Sequence, residues 1–175
     1  MWARGILLVT LFGLAAAFDV RADDADAKKN ARTQAETIQN TLIKGDYGKL
    51  ADLTHPKAVE KFGGRDKMVA LLEKEMKGLA DRGTVLSSVK VFEPSQPAAA
   101  GKELYITVPF SLVIKVPGGR LLTKGVLLGV SEDQGKTWRF IDCSPGAKTI
   151  KNLFPDLPTT LVVPAKNEPP TFEKD

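Results

Sequence analysis

An α+β fold, with N-terminal helices packed on one face of a curved antiparallel sheet, is what three observations in this 175-residue chain predict. Between Asp26 and Ala80, apolar residues recur at three- and four-residue steps, the spacing that gathers them on one helix face. From Thr84 the period changes to two, the alternation of half-buried strands. Turn signals then divide the second half into runs that fold back on one another. Helices come first and a meander follows, an order that puts the helices on one face of a sheet.

Ahead of these elements, Arg4 supplies a positive charge and Ile6 to Phe18 form an apolar run broken only by Thr10 and Gly13. Val20-Arg21-Ala22 follows, with small or apolar residues at the −3 and −1 positions of a cleavage after Ala22. This is the pattern of a secretory signal peptide. Its apolar core of about a dozen residues falls short of the ~20 that a spanning helix needs. Residues 1–22 are therefore expected to be removed. What remains is the size of one domain with a proper core, without a membrane span, placed in the periplasm or the medium. The formal net charge of the whole chain is +4. Basic and acidic residues are interspersed, without the clustered basic footprint of nucleic-acid binding.

The first helix is expected over Asp26 to Lys44, with Ala27, Ala31, Ala35, Ile38 and Leu42 on one face and Gly45 ending it in a left-handed turn. Asp46 is placed to cap a short helix through Leu53. His55-Pro56 breaks it, because the residue before proline is pushed out of helical geometry. A short turn, Lys57 to Phe62, is stopped by Gly63-Gly64. The helix from Arg65 to about Ala80 carries Met68, Leu72, Met76 and Leu79 along one face, and Gly83 closes it.

Val85, Val89 and Val91 predict a strand to Phe92, and Pro94 to Gly101 a loop. The clearest strand follows, with apolar residues at every second position from Leu104 to Val116. Pro109 within it implies an edge position or a bulge that bends the sheet. Pro117-Gly118-Gly119 turns the chain into Leu121 to Ser131, and Thr137 to Cys143 forms a last strand. Residues 23–144 thus make one domain, and 145–175 a Pro-rich extension. Its prolines restrict regular structure to one helical turn at Thr149 to Leu153. Leu161-Val162-Val163 is expected to lie extended across the sheet edge, and Asn167 to Asp175 to fray.

Three stretches together resemble the nuclear-transport-factor-2-like superfamily. Leu42-Ile43-Lys44-Gly45-Asp46-Tyr47, followed by Leu50 and Leu53, is similar to that family's junction between helices one and two. Gly63-Gly64-Arg65 before a long helix resembles its glycine entry to helix three. Trp138-Arg139-Phe140-Ile141-Asp142 resembles its closing strand. The resemblance covers about Asp26 to Cys143. It implies a cone-shaped fold, a pocket between helices and curved sheet, and frequent dimerisation through the sheet. The extension after Pro145 departs from the minimal pattern, and is expected to plug or extend the pocket.

Ser131-Glu132-Asp133-Gln134-Gly135-Lys136-Thr137-Trp138 matches the Asp-box pattern Ser-x-Asp-x-Gly-x-Thr-Trp at every defined position. Such boxes recur in sialidase-like propellers, but a propeller needs several blades of about 40 residues or more, and this chain has one box. The motif is read as a hairpin turn, with Asp133 accepting backbone N–H groups, Gly135 at positive φ and Trp138 packed beneath.

His55, the only histidine, is read as a general base or pocket hydrogen-bonder, or else as a loop residue that stiffens the turn before Pro56. Ketosteroid-isomerase-like relatives use a buried carboxylate, sometimes with tyrosine, and the corresponding candidates are Asp52, Asp142, Tyr47 and Tyr105. Asp142 shares a strand face with Trp138 and Phe140. Lys124, among Leu122, Val126 and Leu128, would line the pocket with Arg139 and favour an anion, or else snorkel from its rim. Pocket candidates are therefore Tyr47, His55, Tyr105, Lys124, Trp138 and Phe140, with His55 and Asp142 as the catalytic candidates. The lone Cys143 is read as a half-buried, inert thiol at a strand end, or else as a free thiol or one in an intermolecular bond. Zinc and haem-attachment motifs are absent, and no metal or cofactor is expected. These readings predict an exported, non-catalytic domain. It would bind a small apolar or anionic ligand, or a protein partner, through a cone pocket or sheet face. The alternative is a cofactor-independent isomerase, cyclase or hydrolase.

Overall fold

The computed structural model describes residues 21–166 and 168–175. Helix α1 (Arg21–Lys44) turns Ala27, Ala31, Ala35 and Ile38 onto the sheet, where all four are buried. Three alanines at helical spacing let the helix backbone lie close across the strands. The expected leader lies outside the described residues except for Arg21 and Ala22, which open α1. Gly45 takes φ 75°. Its N–H donates to Leu42 O and that of Asp46 to Thr41 O, the paired bonds of a Schellman ending. Asp46 then caps α2 (Tyr47–Leu53), accepting from Lys49 N–H at 3.1 Å. His55 caps α3 (Pro56–Lys61), and α4 (Arg65–Ala80) starts after Gly64.

The strands are β1 (Val85–Val91), β2 (Ala98–Ala100), β3 (Glu103–Val116), β4 (Gly119–Ser131), β5 (Arg139–Asp142) and β6 (Thr171–Lys174), with a short helix α5 (Ala147–Leu153) before the last. They form a curved, unclosed antiparallel sheet. The long β3–β4 hairpin is its spine. β1 and β2 share the outer flank of β3, and β5 and β6 share the outer flank of β4. The protein is α+β, with helices on the sheet as the sequence predicts. Among the described residues no helix is long and apolar enough to cross a membrane.

Pro109 sits in this central spine opposite Val126. Its carbonyl accepts the Phe92 N–H, just past the paired end of β1 at Val91. In an antiparallel strand a residue's N–H and C=O point the same way, so the donor that proline lacks would face this flank and not β4. The position behaves as an edge although the strand is central, and the bulge lies in β1 between Leu86 and Ser88.

Alternation along β3 separates two cores. Ile106, Val108, Phe110 and Leu112 join Leu127, Trp138, Phe140 and the α1 alanines on the helix side. Tyr105, Leu128, Val130 and Ile141 face the other way, against Ile150, Phe154, Leu157 and Leu161 of the C-terminal segment. The segment thus covers the sheet face that α1 leaves free. Leu161 is buried there instead of running along an edge, and residues 171–174, where fraying is expected, pair with Gly119 to Leu122. Gly119 makes that pairing feasible, since a Cβ on it would stand 2.2 Å from Glu173 O. Arg120 fixes it with a 2.7 Å hydrogen bond to Glu173. Ala98–Ala100 also pairs, with Glu103 to Tyr105, where a loop is expected.

The Asp-box stretch is the predicted turn and is clamped to α1. Asp133 accepts from Thr137 N–H at 2.8 Å and Thr137 Oγ1 at 2.7 Å, and Ser131 Oγ accepts from Gly135 N–H at 2.8 Å. Trp138, 1 % exposed, donates its indole N–H to Gly135 O. From α1, Asn30 donates to Gly135 O and Gln34 to Lys136 O, while Gln34 Oε1 accepts the Trp138 N–H.

Candidate functional site

Between the helices and the outer half of the sheet lies an apolar cavity of about 440 Å³. Its helical wall is built by i,i+4 pairs, Ile38 with Leu42 on α1 and Met68 with Leu72 on α4. Leu127 and Phe140 contribute from the sheet, and Ile150 and Leu153 of α5 close one side. The junction of α2 and α3 holds this geometry open. His55 N–H donates to Phe140 O at 2.9 Å, and Thr54 pairs with Phe140 as a single parallel bridge. The two short helices therefore lie against β5, and Leu50, Thr54 and Ala58 from them and their junction line the cavity. Charged lining side chains are Lys61 and Asp142, both exposed at the mouth.

Two of the sequence candidates meet here. Phe140 lines the interior, and Asp142 lies at the mouth, where its Oδ1 accepts the Ser144 N–H at 2.6 Å. Trp138 shares their strand face but is sealed beneath the Asp-box turn. Tyr47 lies in a separate surface recess with Glu73 and Met76. Burial raises its hydroxyl pKa, and the Glu73 charge adds to this.

His55 and Tyr105 come together on the opposite side of the sheet, around Phe154. The Phe154 centroid stands 5.0 Å from His55 and 6.0 Å from Tyr105, edge to face with each. His55 Nδ1 accepts the Lys57 N–H at 3.2 Å, so its proton in the neutral form is on Nε2. Burial lowers its pKa, with the Lys57 charge acting in the same direction. Tyr105 donates to the Glu103 carboxylate, and burial followed by that contact raises its hydroxyl above the usual range. Lys124 is exposed and pairs with Glu168 at 3.0 Å. Asp52 is held below the usual carboxylate range by its hydrogen bonds to Arg65, and Arg139 donates to the Asp52 carbonyl.

Several lining residues were not singled out by sequence reasoning. Gln39 is the most informative, because it places an amide beside Ile38 on the core-facing side of α1 and is 5 % exposed. A polar residue at a core-facing helical position is a signal that periodicity alone discards.

A larger groove of about 690 Å³ runs along the start of α1, and three of its lining charges pair with one another. Lys28 pairs with Glu93 at 3.0 Å and Arg32 with the same carboxylate at 3.6 Å. Among the described residues no cluster of three potential metal ligands is assembled. No family model matches the chain, and no curated protein is significantly similar to it.

Proposed function

We propose that this protein is an exported, non-catalytic binding domain of the nuclear-transport-factor-2-like type, which holds a small, mainly apolar ligand between its helices and sheet. The observation that carries this reading is the 440 Å³ cavity, whose lining is mainly apolar and whose charged side chains are confined to the mouth. Such a volume and lining are those of small-molecule sites. Export is supported by the leader pattern of residues 1–22.

Binding is favoured over acid–base chemistry by where the titratable candidates stand. Asp142 is exposed with an oxygen engaged by Ser144 N–H, and His55 faces the other core. A buried carboxylate at the cavity base, which a ketosteroid-isomerase-like reaction would use, is not among the lining residues. The C-terminal segment occupies the second sheet face, so sheet-to-sheet dimerisation would have to displace it.

Titration of the mature protein with naphthalene, followed by calorimetry or ligand fluorescence, tests the reading. Saturable binding that Leu72→Trp abolishes by filling the cavity is expected. Binding unchanged in that variant, or none in the parent protein, would refute it.

A further inference from the structure

One residue of the cavity wall does not suit a purely hydrocarbon occupant. Gln39 is 5 % exposed and lies on the lining between Ile38 and Leu42. The threonine hydroxyls on the lining already donate elsewhere, Thr54 Oγ1 to Leu50 O at 2.8 Å and Thr149 Oγ1 to Pro145 O at 3.2 Å. No hydrogen bond joins the Gln39 amide to another group of the described residues. Nor is any side-chain nitrogen or oxygen there sealed away without a partner. The amide therefore opens into the cavity. An occupant that displaced water from it and offered nothing in return would leave a buried polar group unpaired, which weakens binding.

An amide offers donors and an acceptor but no charge. Lys61 and Asp142 stand at the mouth, so a carboxylate pushed in to Gln39 would be buried without a counter-charge. We infer that the cavity selects an apolar molecule carrying one uncharged hydroxyl or carbonyl at its buried end, which Gln39 recognises by hydrogen bonding. This rests on the ligand-binding reading above and narrows it from a mainly apolar ligand to an apolar one with a neutral polar group.

Naphthalene, 2-naphthol and 2-naphthoate share one apolar body and test the inference together, titrated near neutral pH into the mature protein. 2-Naphthol is expected to bind about threefold to tenfold tighter than naphthalene, the worth of one hydrogen bond, and 2-naphthoate weakest. Gln39→Leu and Gln39→Met should bring 2-naphthol down to the affinity of naphthalene while naphthalene binding persists. The three-ligand order in the unaltered protein decides the matter even where a variant folds poorly. If 2-naphthol binds no tighter than naphthalene, or 2-naphthoate binds tightest, Gln39 is not the recognition group, although the cavity still binds ligand. If none of the three binds, the ligand-binding reading falls and this inference with it.

Discussion

The rings of His55 and Phe154 meet edge to face at 5.0 Å, their planes at 78°, and this contact ties the C-terminal segment to the α2–α3 junction. Lys57 adds to the tie. Its Nζ donates to Leu153 O at 3.1 Å and lies 4.6 Å from the Phe154 ring centre. Because α5 also walls the cavity, the second core and the cavity share an element. Phe154→Ala is expected to cost about 3–5 kcal/mol in urea denaturation, the range for emptying a buried phenylalanine site. A loss below about 1 kcal/mol would show that the segment is not anchored there.

His55 makes stability depend on pH near neutrality. Its pKa is depressed below 6.5 by burial and then by Lys57, with Arg139 acting the same way and Glu103 and Glu132 opposing. As pH falls below 6.5 the unfolded chain takes up this proton before the folded one. Stability is therefore full above that pH and declines as pH drops toward the folded pKa. His55→Asn keeps a cap for α3 and should flatten the decline, measured as urea midpoints across this range. An unchanged slope in the variant would assign it to other groups.

Asp133 acts in more acid conditions. Burial alone would raise its pKa, but hydrogen bonds from Thr137 N–H, Thr137 Oγ1 and Ser131 Oγ outweigh that and bring it to about 2. Its contribution is present above the unfolded carboxylate pKa and is lost as pH falls from about 4 to about 2. Asp133→Asn is expected to cost about 1 kcal/mol near neutral pH, solvent screening keeping the loss small, and to remove that acid limb from the stability profile. Equal acid sensitivity in both proteins would contradict the bonding described.

Cys143 is 1 % exposed, and burial, followed by the Asp142 charge, pushes its thiol up to about 12. Thiol-reactive reagents at mildly alkaline pH should leave the native protein unlabelled and modify it promptly in urea. Rapid labelling of native protein, or a disulfide-linked dimer, would contradict the buried placement.

The elements best read from sequence are those whose signals are local. The three glycine endings at Gly45, Gly63 and Gly83 take positive φ, and each closes its helix as expected. The Asp-box turn is similarly local, since the bonds of Asp133 with Thr137, Gly135 with Ser131 and Trp138 with Gly135 all close within eight residues. What escaped reading depends on contacts distant in sequence. The fate of residues 145–175 is decided by apolar side chains on the odd-numbered face of β3, such as Tyr105, and by a glycine at 119 that lets a strand from position 171 approach. The strand face shared by Trp138, Phe140 and Asp142 was legible from alternation. That an overlying turn seals Trp138, while Phe140 and Asp142 border open space, follows from packing. Gln39 was passed over because helical periodicity registers apolar positions and not the polar exception among them.

Native mass spectrometry of the protein, purified from the cells that make it, tests the central claim most directly. A mass excess of one small molecule under native conditions, lost on denaturation and lost in Leu72→Trp, is the predicted result. The bare chain mass under native conditions, unaltered when naphthalene is added in excess, would contradict a ligand-binding cavity.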